Sequence, residues 1–126
     1  MPFGTKVVYK GYTLKSKHEY AWARYFDARR IPWEYEPIHF RDPGAPVGSG
    51  LGYTYTPDFG IQDRSVFIEI KVYDGAVTNK IHFCTKPLIA IYGTPERCYM
   101  HVKQAGASFF ERGHSLNFDL ALARLT

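Results

Sequence analysis

The sequence predicts a mixed α/β (α+β) domain in which a mixed central sheet is flanked by helices. Three observations support this fold class. A helix-capping sequence opens an amphipathic pattern at Ser16, the segment 65–73 alternates its side chains as a strand does, and the predicted elements follow in the order β-α-β-β-β-α-β-β-α. The length of 126 residues suits a single domain over 1–126.

The first elements are a short extended segment and a helix. Residues 6–12 predict a strand or an extended arm. Ser16 is a favourable N-cap and Glu19 follows three residues later, as in a capping box, so a helix is expected from Ser16 to about Arg29. Pro32 ends this helix, because the residue before a proline avoids the helical region of the backbone.

The middle of the chain predicts three strands and a loop. Residues 33–40 are typical of a strand, whereas residues 41–52 contain four glycines and two prolines and predict a loop. Residues 53–59 are rich in strand-forming side chains, residues 60–64 contain turn formers, and residues 65–73 form the clearest strand pattern of the chain. The last three segments together predict a β-hairpin.

The remainder of the chain predicts two more helices and two more strands. Residues 75–85 are expected to form a short helix, and 86–93 a buried strand. A turn at 94–96 precedes a further strand at 97–102, and a C-terminal helix is expected at about 117–125. Strands that alternate with helices in this way predict a sheet covered by helices.

Strand alternation and the hairpin bring two carboxylates together. Glu69 and Lys71 project from the face of their strand opposite to the one formed by Val66, Ile68, Ile70 and Val72. A two-residue turn at 63–64 sets Asp58 directly across from Glu69, with Cβ atoms roughly 4.5–5.5 Å apart. Carboxylates at this spacing repel each other, and a divalent cation between them, Mg²⁺ or Mn²⁺, would convert the repulsion into affinity.

Glu19 is expected to face the rest of the domain. On the predicted helix it shares a face with three apolar residues, Trp22, Ala23 and Phe26. A carboxylate on that face needs a partner. The structural alternative is that Glu19 only closes the capping box at the Ser16 amide. The corresponding alternatives are a surface ion pair for Glu69 with Lys71, and a turn-entry role for Asp58.

A site of this composition predicts metal-dependent hydrolysis of phosphodiester bonds. Asp58 and Glu69 would hold the metal, which polarises a scissile phosphate and lowers the pKa of a bound water. Lys71 would orient that water or stabilise the charge that grows on the phosphate. Glu19 would hold a second metal or a metal-bound water. The expected cofactor is Mg²⁺, with Mn²⁺ as a substitute.

The same residues resemble a known nuclease signature. Pro57-Asp58 followed by Glu69-Ile70-Lys71 is similar to the PD-(D/E)XK motif. The stretches SKHEYAWARYFDARRIPWEYEP, YTPDF and FIEIK resemble the phage endonuclease I family, which resolves Holliday junctions, and also transposon end-cleaving endonucleases. The resemblance spans roughly residues 9–73 and implies a restriction-endonuclease-like αβββαβ core, a DNA substrate and, in many members, a homodimer.

The resemblance also implies roles for individual residues. The catalytic set would be Glu19, Asp58, Glu69 and Lys71. The metal ligands would be Asp58, Glu69 and the backbone carbonyl of Ile70, while Glu19 would bind a second metal or act through a water. The later part of the chain departs from the pattern of the junction-resolving enzymes, which leaves the structure of the DNA substrate and the dimer open.

Basic side chains are candidates for contact with a DNA backbone. The net charge of +4 permits a polyanionic partner. The candidates lie around the first helix and in the helix predicted at 75–85, and they are Lys15, Lys17, Arg24, Lys80 and His82. A solvated charged face is the commoner meaning of such a cluster.

Composition disfavours several other classes of protein. Two cysteines are too few for a disulfide framework or for zinc binding, and the sequence contains neither an apolar run of membrane-spanning length nor a phosphate-binding loop. We therefore expect no membrane association, no nucleotide cofactor and a cytoplasmic location. The resemblance to the phage endonuclease I family implies that this is the cytoplasm of a bacterium or of a phage-infected cell.

The expected function is that of a Mg²⁺-dependent DNA endonuclease that acts on branched DNA during recombination. Two further enzymes fit the same residues, namely a DNA-end exonuclease and a cleavage subunit for restriction or transposition. A DNA-binding module with an inactive nuclease fold is the non-enzymatic alternative. The intact set of Asp58, Glu69 and Lys71 favours the enzymes, because a decayed domain tends to lose one of these residues.

Overall fold

The structure is a computed structural model that describes residues 6–42, 54–71, 81, 83–107 and 117–125. Its elements in chain order are β1 (Val7–Tyr9), β2 (Tyr12–Leu14), α1 (Lys17–Ala28), β3 (Trp33–Tyr35), β4 (Phe40–Arg41), β5 (Thr54–Tyr55), β6 (Phe59–Ile61), β7 (Val66–Lys71), β8 (Leu88–Thr94), β9 (Arg97–Lys103) and α2 (Phe118–Leu125). Neither helix in these ranges has the length and apolar character needed to cross a membrane.

Five strands form the central sheet, in the order β3-β6-β7-β8-β9. β7 and β8 run parallel, whereas the other neighbouring pairs are antiparallel, so the sheet is mixed. Two short antiparallel pairs, β1 with β2 and β4 with β5, lie outside this sheet. The predicted mixed α/β class with a mixed sheet is confirmed.

β7 is the middle strand of the sheet, and all six of its residues are buried. On one face, Ile68 and Ile70 belong to a core that includes Trp22 and Phe26 of α1 and Phe118 of α2. On the other face, a smaller cluster contains Tyr55, Phe67, Ile81, Cys84 and Leu88. Each such side chain stabilises the fold by about 1.5–3 kcal/mol when fully buried. The strand that carries Glu69 and Lys71 is therefore fixed from both sides.

Both helices begin where the sequence predicts. The Ser16 hydroxyl accepts a hydrogen bond from the Glu19 N–H at 3.1 Å, which caps α1. The Asn117 side chain accepts from the Leu120 N–H at 2.9 Å and caps α2. Helix α1 ends at Ala28, one residue earlier than predicted. The two helices pack on the same face of the sheet, since their aromatic residues share one core.

Several predicted strands are divided in the structure. Residues 6–12 form β1 and the start of β2, joined by a turn at Lys10 and Gly11, which have positive φ angles of 51° and 84°. The stretch 33–40 is interrupted after β3, because Glu36 has a left-handed backbone with φ of 47° and Pro37 has no N–H to donate.

The hairpin that carries the predicted site has different bounds from those predicted. The prediction of one strand over 53–59 is wrong, because Pro57 separates β5 from β6 and the two strands join different sheets. Only part of the segment 60–64, which contains the turn formers, belongs to the turn. Gly60 is inside β6, where a Cβ atom would lie only 2.9 Å from the Pro37 ring. The turn comprises 62–65 instead.

The later elements agree with the prediction to within two residues, with β8 for 86–93, β9 for 97–102 and α2 for 117–125. Most of the helix predicted at 75–85 falls outside the described residues, as do Lys80 and His82.

Candidate functional site

Glu19 reaches the site from the first turn of α1. Its side chain is only 5% exposed. It does not follow the capping-box expectation of an acceptor for the Ser16 amide. Instead, Oε1 accepts from the Lys15 N–H at 2.8 Å and from the Tyr35 hydroxyl at 2.7 Å. Ser16 fixes the start of the helix, and the Glu19 carboxylate remains directed towards the sheet, where it lies close enough to repel Asp58.

Asp58 and Glu69 are placed by the hairpin of β6 and β7. Phe59 pairs with Ile68, so the same register carried back by one residue sets Asp58 beside Glu69. The turn residues Asp63 and Arg64 both have positive φ angles, 54° and 64°, as a two-residue hairpin turn requires. The register predicted from the turn is therefore confirmed.

Asp58 precedes β6 and is held by the backbone of the neighbouring strand. Its Oδ2 atom accepts a hydrogen bond from the Ile70 N–H at 2.7 Å, and the side chain is almost fully buried. Burial, together with repulsion from Glu69 and Glu19, raises the pKa of Asp58 well above its ordinary value. The Ile70 N–H and the Lys15 ammonium oppose that rise without cancelling it.

Glu69 lies between two partners on the central strands. Its Oε2 atom is 3.2 Å from Nζ of Lys71, and its Oε1 atom accepts from the Tyr55 hydroxyl at 2.6 Å. Burial raises the pKa of Glu69, although Lys71 and the Tyr55 hydroxyl favour its ionised form. The alternative interpretation, an ion pair of Glu69 and Lys71 on the surface, is wrong, because both side chains are only about a tenth exposed.

Lys15 and Glu36 also belong to this cluster. Lys15 was predicted to contact DNA, but its ammonium lies 2.7 Å from Glu36 Oε2 and 3.8 Å from Asp58 Oδ1. The Glu36 N–H donates to the Asp58 carbonyl at 2.9 Å, which fixes Glu36 beside the site. Glu36 was not predicted. The sequence signal for it was weak, since a glutamate before Pro37 on a short strand is compatible with any exposed loop.

Two tyrosines, Tyr35 and Tyr55, were missed because nothing in their local sequence connects them to the carboxylates. Each donates to a single carboxylate oxygen, at Glu19 and Glu69 respectively. The Ile70 N–H does the same for Asp58. One oxygen of each carboxylate is therefore fixed by the protein, while the second oxygens of Asp58 and Glu69 face the lysines.

The chemistry of these donors fits a hard divalent cation. Carboxylate oxygens are the preferred protein ligands of Mg²⁺, which commonly keeps several waters and uses only one or two carboxylates. Mutual repulsion in Asp58 and Glu69 is the electrostatic condition that such a cation relieves. Within the described ranges, no three His, Cys, Asp or Glu side chains are arranged to hold a metal ion by themselves. Asp58 and Glu69 therefore fit a cation held by two carboxylates, with water as the remaining ligands.

An aromatic row lies next to the site in the sheet. Through the strand register, Glu69 aligns with His101, and Lys71 aligns with Tyr92 and Tyr99, so all five side chains belong to the same face. The Tyr92 and Tyr99 rings are stacked with centroids 4.8 Å apart. The sequence assigned no role to His101 or to these tyrosines.

The remaining candidates for DNA contact lie on the surface. Lys17 and Arg24 are exposed on α1, and the Arg24 guanidinium lies over the Tyr20 ring at 5.7 Å.

Comparisons of the chain with protein families, with curated proteins and with solved structures found no match. The function is therefore inferred from the residues of this chain and their geometry.

Proposed function

We propose that this protein is a Mg²⁺-dependent deoxyribonuclease of the PD-(D/E)XK type, which hydrolyses internal phosphodiester bonds in branched DNA. The observation that carries the proposal is a buried pair of mutually repelling carboxylates, Asp58 and Glu69, with Lys71 two residues further along the same strand. Structural carboxylates rarely stay buried beside one another. A cation-binding role accounts for the arrangement.

The topology supports a restriction-endonuclease-like core as the fold behind this activity. Helix α1 precedes three antiparallel-paired strands, β3, β6 and β7, and β8 then pairs with β7 in parallel. This order agrees with the αβββαβ arrangement except for its second helix, which was predicted at 75–85, mostly outside the described residues. Asp58 directly precedes β6 and Glu69 lies within β7, so the carboxylates are side by side on the two strands of the hairpin.

Each group of the site then has a role in hydrolysis. Asp58, Glu69 and the Ile70 carbonyl would hold the cation, which supplies Lewis-acid polarisation of the phosphate and a more acidic bound water. Hydrolysis would join the water oxygen to phosphorus and break the bond to the leaving oxygen of the sugar, which would take up the proton that the water loses. Lys71, whose Nζ lies 3.2 Å from Glu69 Oε2, would orient the water or stabilise charge on the phosphate oxygens. Glu19 would act on a second cation or through a water.

DNA is the substrate that the sequence resemblance favours, and the chain as a whole is basic with a net charge of +4. Two half-buried rings of the aromatic row, Tyr99 and His101, lie on the same face of the sheet as the site and also favour nucleic acid, since bases stack on such rings. Branched DNA and a homodimer rest on the resemblance alone. An end-processing exonuclease, a restriction or transposition cleavage subunit and an inactive DNA-binding module are the competing functions.

A panel of labelled substrates tests the activity. We expect cleavage in Mg²⁺ or Mn²⁺, and none in the presence of a chelator, with a four-way junction cut more efficiently than linear duplex, single strand or RNA. Cutting of a closed circle excludes an obligate exonuclease. We expect Asp58→Ala and Lys71→Ala each to lower the rate by more than about a hundredfold, because direct ligands and charge-stabilising groups matter more than their outer partners.

The matched control is Asp27→Ala, which removes a carboxylate that accepts from Tyr9 and Trp33 instead of from the groups of the site. This variant should cut at the parental rate wherever it is folded. The nuclease proposal fails if no substrate is cut with either metal, or if Asp58→Ala cuts as well as the parent. Binding of DNA without any cutting would favour the inactive module.

A further inference from the structure

Among the described residues, Lys15 is the basic residue that contacts most of the acidic groups of the site. Its backbone N–H donates to Glu19 Oε1 at 2.8 Å, while its ammonium lies 2.7 Å from Glu36 and 3.8 Å from Asp58. Because the backbone is anchored at one carboxylate, the side chain is held over the other two. Lys15 directly precedes Ser16, the N-cap of α1, so the start of the helix holds the Lys15 N–H beside Glu19.

Glu36 holds the ammonium slightly away from Asp58. Its left-handed φ of 47° is uncommon for a residue other than glycine, and its N–H donates to the Asp58 carbonyl. The Lys15 ammonium therefore makes its short contact with Glu36 and only a longer one with Asp58. Burial lowers the pKa of Lys15, but the attraction of Glu36, Asp58 and Glu19 outweighs it and keeps the group positively charged.

The charges of the cluster are incompletely balanced by protein groups. Glu19, Glu36, Asp58 and Glu69 contribute four carboxylates. Among the residues that the structure describes, only Lys15 and Lys71 place an ammonium group within 4 Å of any of them. Lys71 is buried beside Glu69, whereas the Lys15 side chain is 56% exposed on a flexible stem. Lys15 is the partner that is able to move.

We propose that Lys15 is a displaceable internal cation, whose ammonium partly neutralises Asp58 until a divalent cation binds there and drives it away. The inference rests on the metal site proposed above and assigns a regulatory role to a residue outside the predicted catalytic set. Lys15 would thus set the affinity of the site for metal by competing with it. Glu36, which already makes the shorter contact, would retain the ammonium after the cation drives it from Asp58.

The test is the affinity for Mn²⁺ alone, measured by calorimetry on the full chain without DNA. Lys15→Met should bind Mn²⁺ about tenfold more tightly than the parent, because a competing charge about 4 Å from Asp58 is removed. Lys15→Arg keeps the charge and should bind as the parent does. Glu36→Gln should weaken binding, and this effect should shrink in the Lys15→Met background, since Glu36 acts through Lys15.

Lys10→Met is the matched control, because Lys10 forms a similarly exposed ion pair with Asp27 at 3.0 Å. It should leave the Mn²⁺ affinity unchanged. The proposal is overturned if Lys15→Met binds Mn²⁺ no more tightly than the parent, including the case in which it weakens only DNA binding, as a simple phosphate contact would. If the parent itself binds no Mn²⁺, the metal site and this inference both fail. If the parent binds Mn²⁺ and Lys15→Met binds it with the same affinity, only this inference fails.

Should Lys15→Met not fold, Lys15→Gln tests the same loss of charge with a polar side chain. A second readout is the thermal midpoint. Without metal, the midpoint of the charge-removing variant should fall below that of the parent, and Mn²⁺ should raise it by more than it raises the parental midpoint. A smaller rise than in the parent would contradict the competition.

Discussion

Two carboxylate centres lie at opposite ends of helix α1, and they are built from the same kinds of residue. At the C-terminal end, Asp27 accepts from the Tyr9 hydroxyl at 2.5 Å and the Trp33 ring N–H at 2.9 Å, and it pairs with the Lys10 ammonium at 3.0 Å. At the N-terminal end, Glu19 and its neighbours also use a tyrosine and a lysine, but with a backbone N–H in place of the tryptophan ring N–H. Both centres join the helix to β-strands.

The two centres shift the pKa of their aspartates in opposite directions. Burial tends to raise the pKa of Asp27, but its hydrogen bonds from Tyr9, Trp33 and Lys10 outweigh burial and lower the pKa below its ordinary value. The pKa of Asp58 is raised well above its ordinary value, because burial combines with the charges of Glu69 and Glu19. The single carboxylate of Asp27 has three donors to balance its charge. The carboxylates around Asp58 have too few donors to balance theirs.

This difference separates a structural centre from a functional one. Repulsion between buried carboxylates costs stability, and proteins retain such costs chiefly where a ligand or a reaction requires them. The centre around Asp27 has no unbalanced charge for a ligand to relieve. The centre around Asp58 has one, and a divalent cation is the simplest ligand that relieves it.

The largest expected effect is an opposite response to the same substitution at the two centres. Asp58→Asn should raise the free energy of unfolding of the metal-free protein by about 1–2 kcal/mol, since the amide keeps an acceptor for the Ile70 N–H and removes a repelling charge. Asp27→Asn should lower it by about 1–2 kcal/mol, because hydrogen bonds to a charged group are lost. The cleavage rate should fall by more than about a hundredfold in Asp58→Asn, the more stable variant, and should stay near the parental rate in Asp27→Asn.

Chemical denaturation in the presence of a chelator measures these stabilities. For a domain of this size, each kcal/mol corresponds to about 3–5 °C in the thermal midpoint. Added Mg²⁺ should stabilise the parent but not Asp58→Asn. If Asp58→Asn destabilised the metal-free protein as much as Asp27→Asn does, the two centres would be alike and the distinction would be refuted.

A smaller effect is expected from the tyrosines that hold the carboxylates. Tyr55→Phe removes the donor to Glu69, and Tyr35→Phe removes the donor to Glu19. Partners of this kind orient a ligand, so each variant should lose about 10–100-fold in metal affinity or in cleavage rate. Tyr9→Phe removes the equivalent donor to Asp27 and should change only the thermal midpoint. Equal losses of activity in all three variants would indicate general destabilisation.

Much of the candidate site was accessible from the sequence because it depends on local periodicity. Alternation along 65–73 placed Glu69 and Lys71 on one face, and the turn at 63–64 fixed the register that brings Asp58 beside Glu69. The capping sequence placed Glu19 in the first turn of α1. Each of these inferences uses contacts between residues near in sequence, or pairing across one tight turn.

The rest depends on contacts that local patterns do not encode. Tyr55 lies in β5, outside the central sheet, yet reaches Glu69 in the middle of it. Glu36 faces Lys15 only because its backbone adopts a left-handed conformation, which no propensity predicts for glutamate. The same dependence explains the strand errors, since Gly60 reads as a turn residue but is required by the close approach of Pro37.

The smallest expected effect, and the most diagnostic in sign, is the pH dependence of the two Asn variants. Asp58 and Glu69 titrate together, and their raised pKa values mean that the folded protein retains a proton which the unfolded chain releases above about pH 4. The parental stability contribution of this pair is therefore present at low pH and lost as the pH rises. The advantage of Asp58→Asn over the parent should accordingly grow from about pH 4 towards neutrality.

Asp27 has a lowered pKa, so its contribution is present above its unfolded value near 4 and disappears as the pH falls through its folded value. The deficit of Asp27→Asn should therefore be full at neutral pH and vanish in acid. Thermal midpoints in chelator across pH 3–8 should show both variants converging on the parent at the acidic end, one from above and one from below. Convergence from the same side would mean that Asp58 is as well satisfied as Asp27, and a cation would then have no repulsion to relieve.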